Sequence, residues 1–281
     1  MNDTGIIWTE ASWNPMSGCQ VVTPGCDYCY AKTLAENKRG GAAFPVGFDL
    51  TLRPHKLIEP KRIKVPTLIF VNSMSDMFWE QITDEYRDRM VDVMLACPQH
   101  EFQVLTKRPA EMVRYFSRRA VPPNMWCGVT VEAQRYLEPR TNLLREVDAS
   151  IRFISAEPLL TPLDFQSGVH PTLLGGLLAG IDWVITGGES GTHLCDPQIA
   201  RKRGLAVREN GKWIPRPERV EWIRSIDEQC RTAHVKHFFK QWGGQYPKSA
   251  GRLLDGKTRD EFPRLPGEKT EITNQHLERI A

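Results

Sequence analysis

Short apolar runs alternate with amphipathic stretches from residue 67 to residue 239, and that rhythm restricts the chain more than any other feature. TLIFV (67–71) is too short for a helix and carries β-branched and aromatic side chains, so it reads as a strand. A helical pattern follows over 83–97, where Tyr86, Met90, Val91, Val93 and Met94 share one face. Thr83 is placed to cap that helix, with Asp84 and Glu85 in the first turn, where the helix dipole favours negative charge. The alternation continues with a strand at 102–105 and a helix at 109–119 that Pro109 opens. A strand at 126–131 and a helix at 134–147 come next, then strands at 151–155 and 183–186, a helix at 217–231 and a strand at 235–239. With a strand near 6–13, about seven strands result.

Strands that are apolar throughout are buried on both faces, as in parallel sheets. Parallel strands joined through helices need right-handed crossovers. A full or partial β/α barrel of the TIM type closes such a chain, and 281 residues suffice for one. A doubly wound open sheet is the alternative. The barrel is expected over residues 1–242. Residues 243–281, rich in glycine and charge and poor in apolar side chains, read as a C-terminal extension.

The strand runs end in polar or glycine-rich tips: Asn72-Ser73-Met74-Ser75-Asp76, Thr106-Lys107-Arg108, Thr130-Val131-Glu132, Ala156-Glu157-Pro158, Gly187-Gly188-Glu189-Ser190 and Lys240-Gln241-Trp242. In parallel α/β folds the carboxyl ends of the strands build the site. Tips of this composition in register predict a polar, ligand-binding mouth.

No apolar run approaches the roughly 18 residues that span a bilayer, and the N-terminus lacks the basic and apolar regions of a signal peptide. A soluble, cytoplasmic protein without membrane partners is expected. The net charge of +3 does not by itself mark a nucleic-acid binder. Basic residues do crowd 201–219 (Arg201, Lys202, Arg203, Arg208, Lys212, Arg216, Arg219), either as a solvated loop or as a phosphate-contacting patch.

Seven cysteines, an odd number, argue against a disulfide framework in such a protein. Cys97, Cys127, Cys195 and Cys230 are scattered and read as packing residues. Cys19, Cys26 and Cys29 instead form one motif, C-x6-C-x2-C, between the first strand and a helix near 30–37. Three thiolates on one loop can hold three irons of a 4Fe–4S cluster, leaving the fourth iron open to a small chelating ligand. A structural zinc site wants four closed ligands, which a distant His55 or His193 would have to complete.

The motif resembles the radical S-adenosylmethionine (radical SAM) enzymes, whose three cysteines follow the first barrel strand. Their usual spacing is C-x3-C-x2-C, with an aromatic residue before the last cysteine; here the first gap is longer and Tyr28 takes the aromatic place. A closer resemblance runs along nearly the whole chain. WNPMSGC (13–19), TPGCDYCYA (23–31), NSMSDMF (72–78), VLTKRP (104–109), GVTVE (128–132), ISAEPLL (154–160), WVITGGESG (183–191) and FFKQWG (238–243) are similar to a phage-associated three-Cys-motif family described as radical-SAM-like.

That resemblance implies a barrel of the radical SAM kind, a 4Fe–4S cluster, SAM as cofactor and an external electron donor. It puts Tyr28 near the adenine and Gly187 and Gly188 where the backbone approaches a ligand. Asn72, Ser73 and Glu132 fall where ribose or the methionyl amino group is held, and Lys107 or Arg108 where the methionyl carboxylate is paired. Glu157, Glu189 and Lys240 are the expected catalytic, substrate-side residues, with Trp242 either a stacking platform for a base or a core residue. A nucleic acid or nucleotide is the leading substrate class. The other readings are a radical SAM enzyme acting on a peptide or small metabolite, and a non-catalytic zinc- or cluster-stabilised binding protein of phage or defence systems.

Overall fold

The computed structural model describes residues 2–166 and 176–263. The chain divides into two compact units, Met1–Val129 with Glu146–Ser150, and Thr130–Arg145 with Ile151–Ala281.

The first unit contains β1 (Asn2–Asp3), β2 (Ala11–Trp13), β3 (Met16–Ser17), β4 (Thr51–Leu52), β5 (Leu68–Val71), β6 (Glu101–Thr106) and nearly all of β7 (Met125–Thr130). Strands β2, β5, β6 and β7 neighbour one another in that order and run parallel; β1 is antiparallel to β2. β3 and β4 form a separate antiparallel pair. The helices are α1 (Tyr30–Asn37), α2 (Asp84–Leu95) and α3 (Pro109–Phe116). Thr83 caps α2 as its sequence predicts, its hydroxyl accepting from Tyr86 N at 3.4 Å. Tyr86, Met90, Val91, Val93 and Met94 are all buried. Each such apolar side chain contributes roughly 1.5–3 kcal/mol when fully removed from water. Trp13 and Phe102, both fully buried, meet at 5.9 Å between ring centres.

The N-terminal strand is shorter than the expected 6–13. Thr9 N bonds to the Ile6 carbonyl at 3.3 Å in a turn, and only Ala11–Trp13 joins the sheet, pairing with Ile69–Val71. Asn14-Pro15 ends the strand, since proline has no N–H to continue the ladder.

The second unit contains α4 (Gln134–Arg145), β8 (Ile151–Ala156), β9 (Trp183–Thr186), α5 (Pro197–Arg203), β10 (Ala206–Glu209), β11 (Lys212–Pro215), α6 (Pro217–Thr232) and β12 (Lys236–Phe239). β9 lies between β8 and β12, parallel to both. The stretch read as a basic loop holds a helix and a hairpin: β10 and β11 pair antiparallel around Asn210-Gly211, both with positive φ (49° and 80°). Two such residues make the turn that matches strand twist.

Residues 243–263, the described part of the expected extension, fold back within the second unit. Phe239 N bonds to the Arg259 carbonyl at 2.8 Å, and Phe262 packs against Trp183 and Phe238 with ring centres at 5.1 and 5.4 Å. Residues 264–281 lie outside the described residues.

Candidate functional site

The cysteine loop is pinned at both ends. Gly18 (φ 96°) leaves the β3–β4 pair so close to Asp49 that a Cβ would stand 2.4 Å from its carbonyl oxygen, so only glycine fits. Gly18 N bonds to the Met74 carbonyl at 3.0 Å, and Ser75 Oγ donates to the Gly18 carbonyl at 2.6 Å. At the far end Cys26 N closes a turn on the Thr23 carbonyl at 2.9 Å and Cys29 N bonds to the Cys26 carbonyl at 3.2 Å. Cys29 is then the N-cap of α1, where the helix favours a negative group. All three cysteines are reduced and half-buried. Cys19 and Cys29 pack on a wall of Ala31, Ala35, Phe44, Phe48 and Met74.

Cys19 Sγ accepts from Arg108 Nη1 at 3.6 Å, while Cys26 Sγ lies 3.9 Å from the Thr23 hydroxyl. Burial, joined by the charge of Asp76, pushes the Cys19 thiol up to about 11; Arg108 works the other way. Among the described residues no three His, Cys, Asp or Glu side chains converge on one point as ligands of a single ion would. Tyr28, between the last two cysteines, is exposed. Cys97, Cys127 and Cys230 are buried packing residues as expected; Cys195 is not, since it is exposed at the end of the short turn Thr192–Cys195.

The tips of β5 and β6 lie against this loop. Asn72 holds a left-handed conformation (φ 61°) that asparagine tolerates better than most residues. Its side chain is buried, with the residue 4% exposed, yet neither Oδ1 nor Nδ2 has a hydrogen-bond partner. An unsatisfied buried amide costs about 1–3 kcal/mol and calls for a reason. Ser73 is tied down by Asn14 (Oγ to Oδ1, 3.2 Å) and by Tyr30, whose hydroxyl donates to its carbonyl at 2.7 Å.

Asp76 and Arg108 were not singled out by sequence as a pair, and they form the hub of this region. Asp76 accepts from Phe78 N, the Thr106 hydroxyl, Lys107 N and Arg108 Nη1 at 2.8–3.2 Å. Arg108 also donates to Glu80 and to the Gln20 carbonyl. Its fork is thus engaged within the chain, so of the two residues expected for the methionyl carboxylate Lys107 is the one without an ion pair among the described residues. The half-buried ammonium of Lys107 has no ion-pair partner among the described residues and keeps that capacity.

The second unit sorts its candidates into three groups. Glu132 is fully buried; Oε2 accepts from Arg140 Nη1 at 2.8 Å and Oε1 has no partner. Glu157 pairs with Lys240 at 2.5 Å, half-buried, and Gly187 lies against both, so that a Cβ there would stand 3.3 Å from Glu157 Cδ. Glu189 is gripped by both arms of Arg203 at 2.6 and 2.8 Å, with His193 at 3.5 Å. Glu189, expected as a catalytic residue, is thus held by a charge-assisted pair within its own unit.

Gly188 is also explained by packing. A Cβ there would sit 2.1 Å from the Trp242 carbonyl oxygen, so the chain's own backbone already comes close. Of the two readings of Trp242 the core one fits: it is 2% exposed, its indole N–H bonded to the Leu253 carbonyl at 3.0 Å. The basic stretch also shrinks. Arg203 and Arg219 are buried, Arg219 over the Trp222 ring, and Arg216 is paired with Glu218. Arg201, Lys202, Arg208 and Lys212 remain exposed.

With this geometry established, the chain belongs to the family described as "Protein of unknown function (DUF5131)", whose model matches residues 3–263. No curated protein sequence matches the chain. Among solved structures, the chain is similar to a cysteine mutant of spore photoproduct lyase with dinucleoside spore photoproduct, at TM-score 0.54 and 13% identity, covering 87% of this chain and 78% of that one. It is similar to a further cysteine mutant of spore photoproduct lyase at TM-score 0.52 and 12% identity with the same coverage. The likeness identifies the fold class as an α/β partial barrel with seven parallel strands. No helix among the described residues is long and apolar enough to cross a membrane.

Proposed function

We propose that this chain is a radical SAM-like iron–sulfur enzyme, and that its three-cysteine loop holds a 4Fe–4S cluster with one iron left open for SAM. The observation that carries the reading is the loop itself: three half-buried thiols without disulfides within eleven residues, one of them at a helix N-terminus, two of them (Cys19 and Cys29) against an apolar wall. The donor set fits the group. Soft thiolates suit iron–sulfur clusters. When bound and reduced, such a cluster supplies the electron that breaks a carbon–sulfur bond of SAM.

The chain's own residues do the rest. Cys19, Cys26 and Cys29 hold the cluster, and the Gly18 and Ser75 contacts fix the loop that carries them. Asn72 offers a buried, unpartnered donor and acceptor beside the loop, suited to the ribose or methionyl groups of SAM. Glu132 offers one unpartnered carboxylate oxygen to the ribose or the methionyl amino group, and Lys107 a cation to the methionyl carboxylate. Ser73, tied to Asn14, is a further candidate for the ribose or the methionyl amino group, and Tyr28, between the last two cysteines, is the candidate for the adenine. Glu157 and Lys240, paired and half-buried, are the substrate-side acid–base candidates.

A nucleotide or nucleic acid is the favoured substrate. The likeness in fold to a protein crystallised with a dinucleoside and the exposed Arg201, Lys202, Arg208 and Lys212 support it. The quoted sequence stretches support membership of the phage-associated three-Cys-motif group, and the radical SAM reading implies an external electron donor; the setting expected is cytoplasmic.

Anaerobic reduction of the reconstituted protein with SAM tests the reading. Cys26→Ala is expected to abolish SAM cleavage with most of the fold retained, and Cys97→Ala to leave cleavage intact. Equal behaviour of the two variants would refute the ligand assignment.

A further inference from the structure

Every edge of the Arg108 guanidinium is in use. Nε donates to Glu80 Oε2 at 3.0 Å, Nη1 to Asp76 Oδ2 at 3.2 Å and to Cys19 Sγ at 3.6 Å, and Nη2 to the Gln20 carbonyl at 3.1 Å. The side chain is 5% exposed. Asp76, which anchors it, is itself fixed by Phe78 N, the Thr106 hydroxyl and Lys107 N. The cation therefore has little freedom to leave the sulfur.

The contact is selective. Cys19 receives a charged donor, whereas Cys26 has only a hydroxyl at 3.9 Å. A neutral thiol is a weak acceptor. An N–H from a fixed cation gains most when the sulfur is negative, as a metal-bound thiolate is. Packing does not demand this contact, because two carboxylates and a carbonyl already occupy the fork.

We propose that Arg108 is a positioning residue that sets the reduction potential of the iron–sulfur cluster through Cys19. The inference rests on the cluster reading above and deepens it. Hydrogen bonds to ligand sulfur and local net charge are levers by which a protein moves a cluster's potential. A cation and an N–H on one ligand sulfur stabilise the reduced, more negative cluster. Asp76 and Glu80 temper that field and keep the cation in place.

The test compares the full-length protein with Arg108→Gln and Arg108→Lys after anaerobic reconstitution, measuring iron and sulfide content and the midpoint potential by EPR-monitored redox titration. Arg108→Gln is expected to load its cluster but to be reduced roughly tenfold less at a fixed solution potential, a shift of about 59 mV for one electron. Arg108→Lys, which keeps the charge and one donor, is expected to stay near the wild-type potential. A loaded Arg108→Gln protein at the wild-type potential overturns the proposal while leaving the cluster reading intact. Should Arg108→Gln take up no iron, the lysine variant decides. Restored uptake at the wild-type potential supports charge as the agent, and failure to restore it marks Arg108 as a packing hub and overturns the proposal. Wild-type protein that binds no iron removes the cluster reading itself, a failure visible before any variant is compared.

Discussion

Asn72 spends stability without recovering it inside the protein: its amide is buried and unpartnered, and its backbone is left-handed. Glycine adopts that φ freely. Asn72→Gly is therefore expected to change unfolding stability by no more than about 1 kcal/mol while weakening SAM binding tenfold or more, about 1.4 kcal/mol. Thermal unfolding and equilibrium binding on the same sample check this; a large stability loss with unchanged SAM affinity would make Asn72 a structural residue only. The glycines of the GGESG tip call for the opposite logic. At Gly188 an added methyl meets the Trp242 carbonyl at 2.1 Å, but at Gly187 it meets a side chain at 3.3 Å. Gly188→Ala is expected to cost about 3 kcal/mol and Gly187→Ala about 1 or less, read as the difference in denaturant midpoints. Both glycines look alike in the sequence, because a string of residues does not show whose backbone comes near.

The elements were largely legible, for a physical reason: helix and strand periods are written in the order of apolar residues. Thr83 and the apolar face of α2 are the clearest case. The β10–β11 hairpin was missed although its Asn-Gly turn was in plain view, because the density of charge around it suggested a loop. Charge identity also misled at Arg203 and Arg219, which are buried against Glu189 and Trp222. The Asp76–Arg108 hub was invisible, since nothing local says which carboxylate a distant tip will meet.

One lock between elements gives a pH prediction. Asp227 on α6 meets His237 of β12 at 2.7 Å and Arg259 of the returning segment at 2.9 Å. Burial alone raises the Asp227 carboxyl, but hydrogen bonds from His237 and Arg259 outweigh it and hold it below the usual carboxylate range. A depressed folded value means stability that is full above the unfolded aspartate value of about 3.9 and lost as pH falls through the folded one. Asp227→Asn should cost about 1–3 kcal/mol at pH 7, and the gap in Tm to wild type should close in strong acid. A gap that stays constant with pH would exclude the ionic lock.

For the molecule as a whole, the sequence carried the fold class because parallel strands buried on both faces leave few ways to arrange themselves. The family assignment covers residues 3–263, and the likeness to spore photoproduct lyase structures extends over 87% of the chain. Substrate chemistry was less legible, because it depends on which tip residues remain free once the chain has paired its own charges. Glu189 and Arg108 turned out to be occupied, whereas Asn72 and Glu132 keep unpartnered atoms.

All of this turns on what the Cys19, Cys26 and Cys29 thiols bind. Metal and sulfide analysis of the anaerobically reconstituted protein, with EPR of the reduced form before and after adding SAM, answers that question. The expected result is about four irons and four sulfides per chain and a signal that shifts when SAM occupies the open iron. One zinc per chain, no labile sulfide and no response to SAM would contradict it.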